Sequence, residues 1–286
     1  MNPCGAHVTH HIKHRPLGYA GLCELRAERV RQIVQTALDD GGLPGEGSPR
    51  QRWLRYPCLH AGTTDYSARC YALQPMSPQA PTFVELTTAM AIDVDGAPNA
   101  YGPPGKPALD FELNAHRGAK ASGEIVGYLT KNNDGRTPEI QGPSDPFPGY
   151  FISTTGFEDS ANPNRLDPRK YVDASKINYV VLGSFAKQKG AKLGDYVAVH
   201  SQRTGKSVFG IIGDSGNSSG AEGSLALLQA LGYRVTSGKT GGVATKEIVI
   251  RYFPGSNPAR HFPKAQTEVD QAAAALGLSK DFTAHR

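Results

Sequence analysis

Residues 207–232 read SVFGIIGDSGNSSGAEGSLALLQALG, and this stretch decides the fold of the chain. It opens with the apolar run 208–212, which is long enough for a strand buried on both faces. Residues 215–220 are glycine, serine and asparagine, which favour a loop over a strand ladder. Residues 224–231 carry leucines at helical spacing, and Gly232 suits the left-handed position that ends a helix. The stretch therefore predicts a strand, a polar loop and a short helix.

Two carboxylates frame the loop of this stretch. Asp214 follows the predicted strand and Glu222 stands just before the predicted helix. Glycoside hydrolysis uses two such acids, one to protonate the leaving oxygen and one to activate water or to attack. A purely structural role fits equally well, because Asp214 could cap a turn and Glu222 could favour the positive end of the helix dipole. The residues alone leave both interpretations open.

The roles within the catalytic interpretation follow from the expected environments. Asp214 follows an apolar strand, where burial would raise its pKa toward that of a general acid. Glu222 is expected at a helix N-terminus, where the dipole favours the ionised form and hence a general base. The opposite assignment remains the alternative.

Composition limits the class of protein. The chain has 286 residues, 38% of them hydrophobic and 20% charged, which is enough for a sizeable core in one or two domains. Its 33 glycines and 21 prolines favour a loop-rich β protein over a helical bundle. The net charge is +5, but no run of lysine and arginine interleaves with aromatic residues, so we expect no nucleic-acid partner. No stretch approaches 18 apolar residues, so we expect no membrane span. No motif indicates a metal or nucleotide site, so we expect no cofactor, and we expect a monomer.

Residues 1–80 differ from the rest and are expected to form an N-terminal extension of unknown function. Aliphatic residues between 24 and 39 recur at helical spacing, which predicts one amphipathic helix. Histidines and cysteines cluster before it: His7, His10, His11, His14, Cys4 and Cys23. Their spacing lacks the pairs that a zinc site needs, so we expect no metal there.

The cysteines leave the redox state open. Cys58 and Cys70 flank a short polar loop with spacing that suits a disulfide-linked hairpin, but with Cys4 and Cys23 three pairings are possible. The first residues are basic and have no apolar core of signal-peptide length. The sequence therefore does not indicate a compartment.

From residue 81 to 256 the pattern indicates a β-rich catalytic domain. Alternation over 83–87 that continues through 89–93 predicts one long or bent strand. Further strands are expected at 124–130, 150–155, 178–182, 196–201 and 246–253. Residues 257–286 are expected to be a C-terminal helical cover, with a weak amphipathic helix over 265–276 that Gly277 ends.

Two aspartates mark the end of the first long strand. Asp93-Val94-Asp95-Gly96 resembles the start of a calcium-binding loop, but the distal glutamate does not stand at the required distance. The motif therefore fails, and we expect no metal site. Asp93 and Asp95 nevertheless lie at a strand mouth, where they could meet a cationic substrate.

Five blocks of the chain, in order, resemble one family of polysaccharide hydrolases. They are MAIDVDGA (90–97), PSDPFPGYFISTT (143–155), DPRKYVDASKI (167–177), LGDY (193–196) and IIGDSGNSSGAEGSLALL (211–228). The family is the fungal-type chitosanases, glycoside hydrolase family 75, which also has bacterial members. The resemblance covers residues 82–253, and five ordered blocks are far more specific than any single one.

The resemblance implies endo-hydrolysis of the β-1,4 linkages between glucosamine units of chitosan, with inversion at the anomeric carbon. It implies that the two catalytic carboxylates are Asp214 and Glu222.

The chain departs from the family in three ways. Ala221 stands where the family usually has glycine, residues 1–80 lie outside the resemblance, and family members are generally secreted whereas no signal peptide is visible here.

Chitosan is a polycation near and below neutral pH, so its groove should carry carboxylates. We expect Asp93 and Asp95 to bind its ammonium groups, and Asp173 is a further candidate that could instead cap a turn. Tyrosines that could stack on sugar rings are Tyr101, Tyr128 and Tyr150, with burial as the alternative for Tyr150. The net positive charge of the chain counts mildly against a cationic substrate.

A strand that ends in aspartate, a glycine-rich loop and a short helix also resemble the barrel of expansins and lytic transglycosylases. We therefore expect a mainly β fold, a double-psi-like six-stranded β-barrel with a few peripheral helices, with an open α+β sheet as the alternative.

The competing functions are an expansin-like polysaccharide binder and a peptidoglycan-directed hydrolase. A pure binder would use an aromatic platform, but the only tryptophan, Trp53, precedes the barrel region.

Overall fold

A closed barrel of six strands forms the centre of the computed structural model, which describes residues 82–283. The strands are β1 (Val84–Asp93), β2 (Tyr179–Leu182), β3 (Tyr196–Ser201), β4 (Ser207–Ser215), β5 (Glu222–Ser224) and β6 (Val243–Tyr252). Around the barrel they follow the order β1-β5-β2-β4-β3-β6. The pairs β1–β5 and β2–β4 are parallel, and the other ladders are antiparallel. The expected six-stranded, mainly β barrel is confirmed, and the open α+β sheet is wrong.

Strand β4 is buried on both faces, as its apolar run predicts. Ile211 packs into a cluster with Tyr179 and Phe253, whereas its neighbour Ile212 packs into a second cluster with Leu228. Successive side chains of a strand point to opposite faces, so the two isoleucines join two different layers of the core. Burying each such side chain stabilises the fold by about 1.5–3 kcal/mol.

Three α-helices pack around the barrel within residues 82–283. They are α1 (Ser184–Gln188), α2 (Leu225–Ala230) and α3 (Gln266–Ala275). Helix α2 begins after Ser224, whose hydroxyl oxygen accepts the N–H of Leu227 at 3.1 Å, and Gly232 follows it with φ +91°. Helix α3 buries Val269 and Ala273, which confirms the helix predicted near the C-terminus.

Two expected strands are absent from the described residues. Over 124–130 and 150–155 the chain forms only isolated bridges, such as Tyr128 with Ser153 and Ile140 with Phe151. Both segments belong to the long connection between β1 and β2, which is rich in proline and glycine. Proline lacks the N–H that a ladder needs, so the local β pattern finds no continuous partner.

Strand β5 corrects another expectation. The sequence places Glu222 at the start of a helix, but residues 222–224 instead pair with β1, with Ala91 opposite Glu222 and Asp93 opposite Ser224. The strand is too short to show an apolar pattern. Glu222 is therefore positioned by its pairing with strand β1 and not by the end of a helix.

Several predictions lie outside the described residues. They are the extension over residues 1–80 with its amphipathic helix, its histidine cluster and the pairing of its cysteines. Within residues 82–283, none of the helices combines the length and the apolar composition that crossing a membrane requires.

Candidate active site

A cleft of about 910 Å³ opens at the mouth of the barrel where β1 and β4 end. Its lining carries six carboxylates: Asp93, Asp95, Asp110, Glu158, Asp214 and Glu222. Arg117 and His116 are the basic residues in the lining. The cleft is therefore acidic although the chain as a whole carries a net charge of +5.

Three of these carboxylates form one cluster. Oxygens of Asp93, Asp95 and Asp214 all lie within 4.8 Å of one another. Asp93 ends β1, Asp95 stands in the turn that follows, and Asp214 lies near the end of β4. Because β5 and β2 separate β1 from β4 around the barrel, the side chains meet across its mouth and not along one ladder.

Hydrogen bonds fix the positions of the two aspartates that follow β1. The N–H of Asp95 donates to Asp93 Oδ1 at 2.8 Å, and the hydroxyl of Tyr101 donates to Asp95 Oδ1 at 2.7 Å. The hydroxyl of Tyr179, on β2, donates to the backbone oxygen of Asp95 at 2.9 Å. The hydroxyls of two buried tyrosines therefore hold Asp95 in place, and Tyr101 is only 3% exposed.

Asp214 is held by the backbone of a distant loop. The N–H of Gly156 donates to Asp214 Oδ1 at 2.6 Å. A Cβ on Gly156 would lie 2.9 Å from Ser215 Oγ and 3.2 Å from Asp214 Oδ1, so a side chain there would displace the carboxylate. Glycine therefore favours this close approach, because a side chain here would have to displace Ser215 Oγ or the carboxylate.

Burial and mutual repulsion raise the pKa values of the cluster. Burial raises the pKa of Asp214 to about 6, and the charge of Glu222 adds to this against the lowering effect of the N–H groups of Gly156 and Ser215. The pKa values of Asp93 and Asp95 are raised well above their usual range, first by burial and then by neighbouring aspartates. Close carboxylates cannot all ionise, so the cluster holds protons near neutral pH.

Glu222 lines the same cleft as Asp214 and is half-buried. Its backbone is fixed by the ladder between β5 and β1, where the N–H of Ala91 donates to the oxygen of Ala221 at 2.8 Å. Ser224, and not Glu222, caps helix α2. The helix-dipole argument for a base role of Glu222 is therefore wrong, because the residue precedes the cap.

Two of the expected substrate residues are not brought to the cleft. Asp173 caps a local turn, accepting the N–H of Ser175 at 2.9 Å, and its carboxylate pairs with Lys176 at 2.9 Å. Tyr150 is 8% exposed and packs against Phe147, with the ammonium of Lys106 5.1 Å from its ring centre. Local charge pairing and aromatic packing account for both residues.

Tyr101 and Tyr128 do not present open faces for stacking. Tyr101 and Tyr128 are 3% and 5% exposed, and both use their hydroxyls inside the protein. Tyr128 donates to Glu112 Oε1 at 2.5 Å, and His116 Nε2 lies 2.7 Å from the same oxygen. Burial alone would raise the pKa of Glu112, but these two hydrogen bonds outweigh it and hold the pKa below its usual range.

Sequence reasoning missed the residues that support the carboxylates. Tyr179 lies within a plain apolar strand, Gly156 in a loop, and His116 in a segment without any motif. Only the four-residue spacing of Glu112 and His116 gives a local signal, and in a helix it would indicate an ordinary surface ion pair. The contacts of Tyr179 with Asp95 and of Gly156 with Asp214 join segments far apart in the chain, so no local pattern reveals them.

The donor set for a cation is limited to the aspartate cluster within residues 82–283. Asp93, Asp95 and Asp214 could supply three carboxylate groups. Calcium takes six to eight oxygens and magnesium an octahedral set, so water or substrate would have to supply the rest. Each aspartate already accepts a hydrogen bond, and the raised pKa values of all three reduce their mutual repulsion without a cation. The expectation of a metal-free site stays a prediction.

Comparison with known proteins adds no relative. No protein-family model matches the chain, and no curated protein matches it either.

Proposed function

We propose that this protein is an endo-acting glycoside hydrolase that cleaves the β-1,4 linkages between glucosamine units of chitosan by an inverting, two-carboxylate mechanism. The observation that carries the proposal is the pairing of a buried Asp214, whose pKa is raised to about 6, with Glu222 on one acid-lined cleft. Two titratable groups with different environments in one cleft are the arrangement that acid–base hydrolysis uses.

Asp214 is the general acid in this mechanism. Near and below pH 6 its carboxyl keeps a proton, which it gives to the glycosidic oxygen as the bond to the anomeric carbon breaks. The N–H of Gly156, 2.6 Å from Oδ1, fixes the orientation of the carboxyl group and stabilises the carboxylate left after transfer. Glu222 accepts a proton from the water that attacks the anomeric carbon from the opposite face.

Asp93 and Asp95 have a different role in this proposal from the one that the sequence predicts. The sequence assigns them to the ammonium groups of the substrate, but their oxygens lie within 4.8 Å of Asp214. They therefore belong to the catalytic cluster, where burial and the charge of Asp214 raise the pKa of both. Tyr101 and Tyr179 hold this pair in place.

The charge of the cleft supports a cationic polymer as substrate. The lining holds more acidic than basic side chains, so an ammonium-bearing chain meets an increasingly favourable local field as the carboxylates ionise, on a protein of positive net charge. Screening by salt should weaken this attraction.

The release of reducing ends from chitosan, chitin and peptidoglycan by the purified full chain tests the proposal. We expect release from chitosan alone, and none with the Asp214→Asn variant. Cleavage of peptidoglycan in preference to chitosan would establish the alternative hydrolase. Retention on insoluble polysaccharide without release of reducing ends from any of them would indicate a non-hydrolytic binder.

A further inference from the structure

A buried carboxylate outside the aspartate cluster also lines the cleft. Asp110 is 7% exposed and lies at the end of a turn, where its N–H donates to the oxygen of Ala100 at 3.0 Å. The 3-10 helix Glu112–Ala115 begins two residues later. The cluster of close oxygens at the barrel mouth does not include Asp110.

The two oxygens of Asp110 have different surroundings. Oδ1 accepts the N–H of Phe111 at 2.7 Å and the side-chain amide of Asn114 at 2.9 Å. Oδ2 accepts no hydrogen bond and forms no ion pair with any residue in 82–283. The nearby Lys239 places its ammonium 5.3 Å from the ring centre of Phe111 and does not pair with the carboxylate.

Oδ2 is not among the fully buried side-chain atoms that lack a partner within residues 82–283, so it is open to the cleft and a ligand can reach it. Burial raises the pKa of Asp110, and the hydrogen bonds from Phe111 and Asn114 together with the charge of Lys239 offset only part of this. A cationic ligand group against Oδ2 would supply the missing donor and favour the ionised form.

Gly238 keeps the space beside Oδ2 free. A Cβ on this residue would lie 2.6 Å from Asp110 Oδ2 and 2.8 Å from Cγ, which is closer than real contacts allow. The N–H of Gly238 donates to the oxygen of Leu109 at 3.0 Å, so the two loops are fastened together here. Both Asp110 and Gly238 line the cleft.

We propose that Asp110, positioned by Asn114 and Gly238, forms a subsite that binds the ammonium group of a glucosamine unit away from the cleaved bond. The inference rests on the proposed function, and it names the group that selects a deacetylated sugar at one position. An ammonium supplies three donors and a positive charge to Oδ2, whereas an N-acetyl group is neutral and larger.

The test compares Asp110→Asn and Gly238→Ala with the unchanged protein on a fully deacetylated glucosamine hexamer. Asparagine keeps Oδ1 and its two hydrogen bonds but removes the charge, and alanine keeps the charge but places a methyl group against Oδ2. Asp134→Asn is the matched control, because Asp134 is exposed on a turn outside the cleft. We expect KM to rise about tenfold or more in both test variants, with kcat within about twofold, because a charge-assisted hydrogen bond is lost.

Product composition supplies a readout that a merely structural role would not change. On half-acetylated chitosan, mass spectrometry of the products should show glucosamine at one fixed distance from the cleaved bond in the unchanged protein. In the Asp110→Asn variant the same position should accept both sugars. An unchanged KM and an unchanged product composition would overturn the subsite while hydrolysis by the parent protein still supports the proposed function.

If the parent protein releases no reducing ends, the proposed function fails and calorimetry decides the subsite. Weaker binding of the glucosamine hexamer by Asp110→Asn than by the parent protein would still support the subsite at Asp110. Equal binding by both proteins, or no binding by the parent protein, would overturn it.

Discussion

Asp93 and Asp214 bring carboxylate oxygens within 4.8 Å of each other although they stand on β1 and β4, which are not neighbours in the barrel. Two charges at that distance in a buried place repel strongly, so the fold accepts both only if protons are shared. Burial and the charge of Glu222 give Asp214 a proton to donate near pH 6, and the charge of Asp214 raises the pKa of Asp93 in turn, so the cluster is a source of instability above that pH. Both consequences are measurable.

Substitution of either proposed catalytic group should remove activity and keep the fold. We expect Asp214→Asn and Glu222→Gln each to lower kcat on chitosan by about 10²–10⁴-fold, the usual contribution of a positioned acid or base. Circular dichroism should match that of the parent protein, and Asp134→Asn should keep full activity. A variant that retained more than about 5% of the parent rate would remove that residue from the mechanism.

Activity should fall as pH rises through the pKa of the acid. Because burial raises the pKa of Asp214 to about 6, the protonated form that donates to the leaving oxygen is lost above that pH. The quantity to measure is kcat/KM on a soluble glucosamine oligomer between pH 4 and 9, which reports ionisations of the free enzyme. A rate that stayed constant up to pH 8 would show that Asp214 is not the acid.

The same pKa predicts how stability depends on pH. Between the usual value of 3.8 and about 6, folded Asp214 holds a proton that the unfolded chain has released, so the free energy of unfolding falls as pH rises. The loss is complete above pH 6 and amounts to at most about 3 kcal/mol. The Asp214→Asn variant has no carboxyl group at this position and does not suffer this loss of stability. Its free energy of unfolding should therefore exceed that of the parent protein at pH 7 but not at pH 4.5.

Urea denaturation of both proteins at the two pH values measures this difference. The raised pKa values of Asp93 and Asp95 act in the same direction, so Asp93→Asn should also stabilise the fold at pH 7. The control variant Asp134→Asn should not raise the free energy of unfolding at pH 7. If all three variants were destabilised equally at both pH values, the carboxylates would not carry the repulsion described above.

The sequence was sufficient for the barrel wherever an apolar run marks a strand. Strands β1 to β4 and β6 follow from such runs, including the bend in β1, where the pairing register shifts between Thr88 and Met90. Strand β5 could not be predicted, because Glu222–Ser224 holds no apolar pattern and is extended only through its neighbours. Local pattern also misplaced strands at 124–130 and 150–155, where no continuous partner exists.

The site was predictable only in its acids. Asp93, Asp95, Asp214 and Glu222 stand at segment ends, which makes them candidates, but the sequence does not place them at one mouth. It does not indicate their distances, and the sequence-based role for Asp93 and Asp95 in holding ammonium groups presumed separate positions. Contacts such as that of Gly156 with Asp214 join segments far apart in the chain, and only the closed fold creates them.

Activity should survive the removal of divalent ions. Asp93, Asp95 and Asp214 already accept hydrogen bonds, and their raised pKa values reduce the repulsion between them, so the proposed mechanism needs no cation. Exhaustive treatment with EDTA followed by dialysis should leave kcat on chitosan within about twofold. Loss of activity that calcium or magnesium restores would make the aspartate cluster a metal site.

The stereochemistry of the first product should be inverted. If Asp214 and Glu222 flank the bond with room for a water, the carboxyl groups stand about 6.5–9.5 Å apart and no covalent intermediate can form. Water then attacks from the face opposite the leaving group, so a β-linked substrate gives an α-anomer first. Proton NMR of products taken before mutarotation decides this. A β-anomer formed first would mean a nucleophilic carboxylate and a closer pair, and Glu222 would then be the attacking group while Asp214 kept its role as acid.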